Sequence, residues 1–180
     1  MATAKKGQKS KVIDALNKAR AMELYAIAQY MNQHYNLDDD DFGKFAANIK
    51  LIAIDEMRHA ENFAERIKEL DGEPTTMMDD KPTKGQDVKV VFSFDEGVED
   101  NTIAVYNQLM QECRDNGDNV SAKLFEQIIV EEQEHYNYFS NEAKHVKRLG
   151  DTYLSQVAGT SSSTGGFSKG FSLNAGNSAD

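Results

Sequence analysis

Four glutamates stand in the apolar seams of this chain, two of them followed three residues later by a histidine, at positions where a helical period calls for core residues. The first segment, about Ser10 to Leu37, repeats through Val12, Leu16, Ala19, Glu23, Ala26, Tyr30, His34 and Leu37. The second, about Asp41 to Asp71, runs through Phe45, Ile49, Ile52, Glu56, His59, Phe63, Ile67 and Leu70. A third carries Glu99, Thr102, Tyr106, Leu109 and Cys113. The fourth, about Val120 to Gly150, carries Phe125, Ile128, Glu132, His135, Phe139, Ala143 and Val146. Steps of three and four residues mark one face of an α-helix. The first two helices would each be about 40 Å long at 1.5 Å per residue, a length natural in a bundle.

The punctuation between these segments predicts the connectivity. Ser10 is the expected N-cap of the first helix, and Asp38 to Asp41 reads as a turn leading into the second. Gly72 and Pro74 stop the second helix, and Glu73 to about Gln86, with both prolines of the chain and Gly85, reads as a long crossover. Val88 to Phe94 has the β-branched and aromatic content of a strand. The period that continues through Glu99 and Thr102 makes it the start of the third helix instead. Asn116 to Asn119 is a turn, and a short fifth helix is expected over Asp151 to Ala158. Two short connections flanking one long one give an all-α, antiparallel four-helix bundle with a single crossover, the topology of ferritin-like folds. This domain is expected to fill residues 1–158, followed by a flexible Ser/Gly-rich tail over 159–180.

Glu23, Glu56, His59, Glu99, Glu132 and His135 then need an explanation. An unpaired buried carboxylate costs several kcal/mol, and several together would unfold a marginal domain. Two cations at their centre would remove that cost. Glu56–His59 and Glu132–His135 are both i, i+3 pairs, so each shares a helix face. Glu23 precedes Glu56 by 33 residues, and Glu99 precedes Glu132 by 33. The chain thus carries one half-site twice. A carboxylate-rich set with one imidazole per metal suits iron or manganese, then zinc, with copper less suited. A single Glu-x-x-His is a weak signal; two in phase with the core, each with its Glu partner, are a strong one.

Bulk properties bound the alternatives. The 180 residues fit one domain with tails, and the net charge of -10 excludes the basic footprint of non-specific nucleic-acid binding. No apolar run approaches the roughly 20 residues of a membrane span. No apolar stretch follows the basic start at Met1 to Lys11, so no signal peptide is expected. The single cysteine, Cys113, excludes a disulfide framework and agrees with a reducing cytoplasm.

At these residues the chain resembles the bacterioferritins over roughly its first 158 positions. The resemblance implies that Glu23, Glu56 and His59 bind one iron and Glu99, Glu132 and His135 the other, with Glu56 and Glu132 bridging. Tyr30 matches the family's tyrosine beside the centre. It is read either as a hydrogen-bond or electron donor there or as a core aromatic. Asp55-Glu56-Met57-Arg58-His59 reproduces the family motif in which the methionine ligates a haem at the subunit twofold. Met57 follows Glu56 and so faces outward, near Ala53, Ile54 and Ala60 and beside an outer stripe of Leu24, Ile27, Ala28 and Met31. A plain helix–helix dimer contact is the other reading of that face.

By resemblance the protein is a ferroxidase that oxidises Fe(II) with dioxygen or hydrogen peroxide. It would store Fe(III) mineral in a hollow 24-subunit shell, with bis-Met haem or a related porphyrin and a ferredoxin-type electron donor. Two alternatives stand beside it: a rubrerythrin-like di-iron peroxidase that stores nothing, and a metal-free helical module with a buried polar network. One departure matters. Many bacterioferritins carry a histidine about one turn before the helix-two glutamate, at an inner iron site, and here Leu51 stands at that place. Asp55 is left as an inner ligand or gate, or as a solvated helix residue. Cys113 and His34 are expected to be structural, and His145 solvated.

Overall fold

The computed structural model describes residues 2–164 and 170–172. Among the described residues five helices follow one another: α1 Ala2–Asp39, α2 Gly43–Glu69, α3 Val88–Asp115, α4 Asn119–Leu149 and α5 Asp151–Val157. Among the described residues no strand forms, and Val88 to Phe94 is helical. Asp87 caps that helix, its carboxylate accepting from the Lys89 N–H at 2.8 Å. Among the described residues no helix is long and apolar enough to cross a membrane.

α1 packs on α2 and α3 on α4, each pair an antiparallel hairpin. The crossover then carries the chain back along α1. Thr75 N–H donates to Asn17 at 2.7 Å, Asp79 N–H to the Ala21 carbonyl at 2.9 Å, and Thr83 N–H to Gln29 at 2.7 Å. The successive partners on α1 advance toward its C-terminal end, so α3 starts where α1 finishes. The long connection therefore delivers three of its backbone donors to α1 instead of leaving them to solvent.

Three expectations are corrected. Ser10 is no cap: α1 begins at Ala2, because Ala, Lys and Gln before Ser10 are good helix formers and only Gly7 weakens the run. His145 is half-buried, its ring 5.0 Å from that of Tyr153, because α5 folds back over α4. Ala53 and Ala60 are buried under α1 and do not line the outer face around Met57. His34 is structural as expected, with Nδ1 2.9 Å from the Ala46 carbonyl. Cys113 is likewise buried, and burial pushes its thiol up to about 12.

The core is two apolar plugs with a charged layer between them. One plug includes Leu37, Phe45, Ile49, Phe92 and Phe139; the other includes Val12, Leu16, Phe63, Ile67 and Phe125. Tyr30 belongs to the first and Tyr106 to the second, and both are fully buried. Of the Ser/Gly-rich tail, Thr160 is tied to the start of α2, where Lys44 N–H donates to its hydroxyl at 2.8 Å. The fit requires Gly43, since a Cβ there would lie 2.0 Å from the Thr160 carbonyl oxygen. Of the tail over 159–180 that was expected to be flexible, 165–169 and 173–180 lie outside the described residues.

Candidate metal centre

The four helices bring all six seam residues into the layer between the plugs. Glu23, Glu56, His59, Glu99, Glu132 and His135 are each at most 1% exposed. Their ligand atoms form two overlapping quartets, Glu23–Glu56–His59–Glu132 and Glu56–Glu99–Glu132–His135. Within each, the atoms lie within 4.8 Å of one another. Glu56 and Glu132 belong to both. Glu56 sets one oxygen 2.9 Å from His59 Nδ1 and the other 3.2 Å from His135 Nδ1. Glu132 does the same, at 3.1 and 3.3 Å.

The donors are aimed at the space between them. Glu56 Oε1, both Glu132 oxygens and His135 Nδ1 are buried without a hydrogen bond of proper geometry, close as they lie. Orphaned acceptors in such a group fit metal ions better than they fit a polar network, which would leave them unsatisfied. Hard carboxylate oxygens with one imidazole nitrogen per quartet suit iron.

Protons mark the same positions in the metal-free protein. Burial, then repulsion from Glu132 and Glu56, pushes Glu23 and Glu99 well above the usual carboxylate range. Burial opposes charge on the imidazoles too, yet Glu132 beside His59 and Glu56 beside His135 hold both well above the ordinary value. Glu132, despite burial, stays ionised because His59 and His135 flank it. Two divalent cations would take the place of these protons.

Around the ligands stands a second set of groups, only some of which the sequence reading assigned. Tyr30 donates to Glu99, so its hydroxyl is at the centre as one of its two readings held. Tyr106 donates to Glu23 in the same way, and that was missed. The signal was available: Tyr30 and Tyr106 each follow a seam glutamate by seven residues. Asp55 and Glu131 each precede a central glutamate, and each bonds the Nε2 of the other pair's histidine at 3.3 Å. They leave Nδ1 of both rings facing inward. Arg58 joins them, donating to Asp55 and, at 2.8 Å, to Glu131. Asp55 is fully buried, which rules out its reading as a solvated helix residue. Met57 stands on the opposite face at 44% exposure.

Comparison with known proteins agrees with this geometry. The ferritin-like domain family matches residues 13–149. A bacterioferritin of Desulfovibrio desulfuricans is 61% identical over 95% of this chain and 96% of its own. One of Mycobacterium bovis is 32% identical over 80% and 91%. Among solved structures, a D. desulfuricans bacterioferritin described with its diiron site in different catalytic states superposes with a TM-score of 0.89. It is 62% identical over 93% of this chain and 98% of its own. Mycobacterium tuberculosis BfrA gives a TM-score of 0.77 at 32% identity, over 82% and 93%. A ferritin-like bundle with a carboxylate–histidine centre, matched over most of its length by such relatives, belongs to the bacterioferritins, the ferroxidases that oxidise and store iron.

Proposed function

We propose that Glu23, Glu56 and His59 hold one iron and Glu99, Glu132 and His135 the other, with Glu56 and Glu132 bridging. The observation that carries this reading is the pair of shared carboxylates, each with one oxygen toward either histidine Nδ1. Bound there, two Fe(II) would supply one electron each to dioxygen or peroxide. The chain's own work is electrostatic. Four carboxylates neutralise two divalent ions, and oxidation would leave two positive charges in excess. Tyr30 and Tyr106 fix the terminal glutamates, while Asp55 and Glu131 fix the imidazoles.

The wider assembly belongs to the same reading. Met57 presents its thioether on a face where Leu24, Ile27, Ala28, Met31 and Ile54 are partly exposed. Two such faces meeting at a twofold would supply both axial ligands of one haem or related porphyrin, and thioether ligation raises the potential of the iron. The proposed setting is a cytoplasmic 24-subunit shell built from such dimers, reduced by a ferredoxin-type donor.

Oxygen uptake on Fe(II) addition tests the centre. His135→Ala is expected to lose rapid oxidation while keeping the native mass of the shell, and unchanged oxidation would refute the ligand assignment. Met57→Leu is expected to lose the porphyrin Soret band without losing oxidation. A retained band would remove Met57 as axial ligand.

A further inference from the structure

Residues 170–172 return to the metal centre. Ser172 N–H donates to Asp55 Oδ2 at 2.8 Å, and the Ser172 hydroxyl lies 3.5 Å from His135 Nε2. The Phe171 ring stands edge-on to His135, centroids 6.2 Å apart, and 5.2 Å from that of Tyr138. Gly170 passes so close that a Cβ would lie 1.8 Å from Asp55 Oδ1. Three consecutive residues thus each make a different contact with one carboxylate–imidazole pair.

These contacts use up Asp55. Arg58 engages its Oδ1, while Ser172 N–H and His135 Nε2 share Oδ2. A carboxylate so occupied is not free to take a cation. We propose that Gly170–Ser172 is a strap over the Asp55–His135 side of the centre. While seated it closes that side, and when lifted it leaves Asp55 Oδ2 with His135 as its one remaining partner of the two, open to receive iron leaving past that ring. The proposal rests on the ligand reading above.

The opposite side has no such cover among the described residues: Glu131, which bonds His59, is held by Arg58 instead.

The chain contains no tryptophan, so Phe171→Trp in the full assembled protein places a single reporter beside His135. Its emission is expected to be blue-shifted in the metal-free protein and quenched as Co(II) fills two sites per subunit. Ser172→Pro in that background removes both the N–H donor to Asp55 and the hydroxyl beside His135, and should shift emission toward that of free tryptophan. In the otherwise native chain, Ser172→Pro and Gly170→Val should leave Co(II) stoichiometry unchanged. The recovery of oxidation capacity after a first load of iron should then quicken by about tenfold, the effect of losing one charge-assisted hydrogen bond from the closed state. A solvent-like emission in the parent reporter, insensitive to Ser172→Pro, overturns the strap whatever the metal does. Unchanged recovery in both variants overturns its role in iron passage. Failure of Co(II) to fill two sites counts against the ligand reading alone, because the emission test needs no metal.

Discussion

The α1–α2 and α3–α4 hairpins supply the same ligands from nearly the same places, but they do not have the same surroundings. Glu23, Tyr30, Glu56 and His59 recur 76 residues later as Glu99, Tyr106, Glu132 and His135. Each tyrosine crosses to the other hairpin's glutamate, and each carboxylate before a central glutamate crosses to the other hairpin's histidine. Beyond that frame the halves diverge. Asp55 is fully buried, whereas the side chain of Glu131 is 32% exposed. Next to the Tyr30–Glu99 pair, Gln33 donates to buried Asp95 at 2.8 Å, where the other half has Leu109 and Ala19. Metal chemistry fixes the inner frame on both sides, while access and proton traffic leave room for the outer layer to specialise.

The largest effect should come from the residues that both halves share. Glu56→Ala and Glu132→Ala each remove a carboxylate that faces both histidines. Either is expected to abolish tight binding at both positions in a Zn(II) titration by calorimetry. Glu23→Ala and Glu99→Ala, which touch one quartet each, should lose one Zn(II) and keep the other. One site lost in all four variants would mean that the quartets do not share their central glutamates.

Proton linkage gives the next effect. Glu23, Glu99 and Asp95 are raised above the ordinary carboxylate values near 4, chiefly by burial. His59 and His135 are raised above the ordinary 6.5 by Glu132 and Glu56, which prevail over burial. The metal-free native state therefore holds more protons than the unfolded chain once the pH exceeds about 4.5. Stability must then fall as pH rises, across the carboxyl range and on past 6.5 into the raised histidine range. Chemical denaturation of the metal-free protein at pH 5, 7 and 9 should give falling midpoints. Zn(II), by displacing most of these protons, should flatten the trend. Asp95→Asn removes one contributor that has no counterpart in the other half, and should reduce the slope. A metal-free protein that gains stability with pH contradicts the electrostatics described here.

The inner frame was legible in the sequence because a buried charge at a helical core position is so costly that only a short list of structures permits it. The 33-residue spacing within each half, and the start of α3 at Val88 despite its strand-like composition, followed from the same period. What sequence did not convey depends on contacts between elements. Asp55, Arg58 and Glu131 are ordinary charged helix residues until α2 and α4 lie side by side. Ser172 lies 117 residues from Asp55 in a stretch whose composition resembles linker, and no local pattern joins the two. Tyr106 is the instructive omission, since the repeat that found the ligands, applied to Tyr30, reaches it directly.

That pair of tyrosines gives the smallest and sharpest test of the comparison. Each hydroxyl is buried and donates to a glutamate that burial holds toward its protonated form. Tyr30→Phe leaves Glu99 without its donor, and Tyr106→Phe does the same to Glu23, at a cost of about 1–2 kcal/mol each. If the two halves share an inner frame, the losses should agree within about 0.5 kcal/mol by chemical denaturation of the metal-free protein. Their effects on iron oxidation need not agree, because only Tyr30 adjoins the polar Gln33–Asp95 pair. Equal stability losses with a larger kinetic effect at Tyr30 would locate the asymmetry in the outer layer. A large difference in stability would place it in the ligands' own supports, and the 76-residue correspondence would then describe sequence without describing energetics.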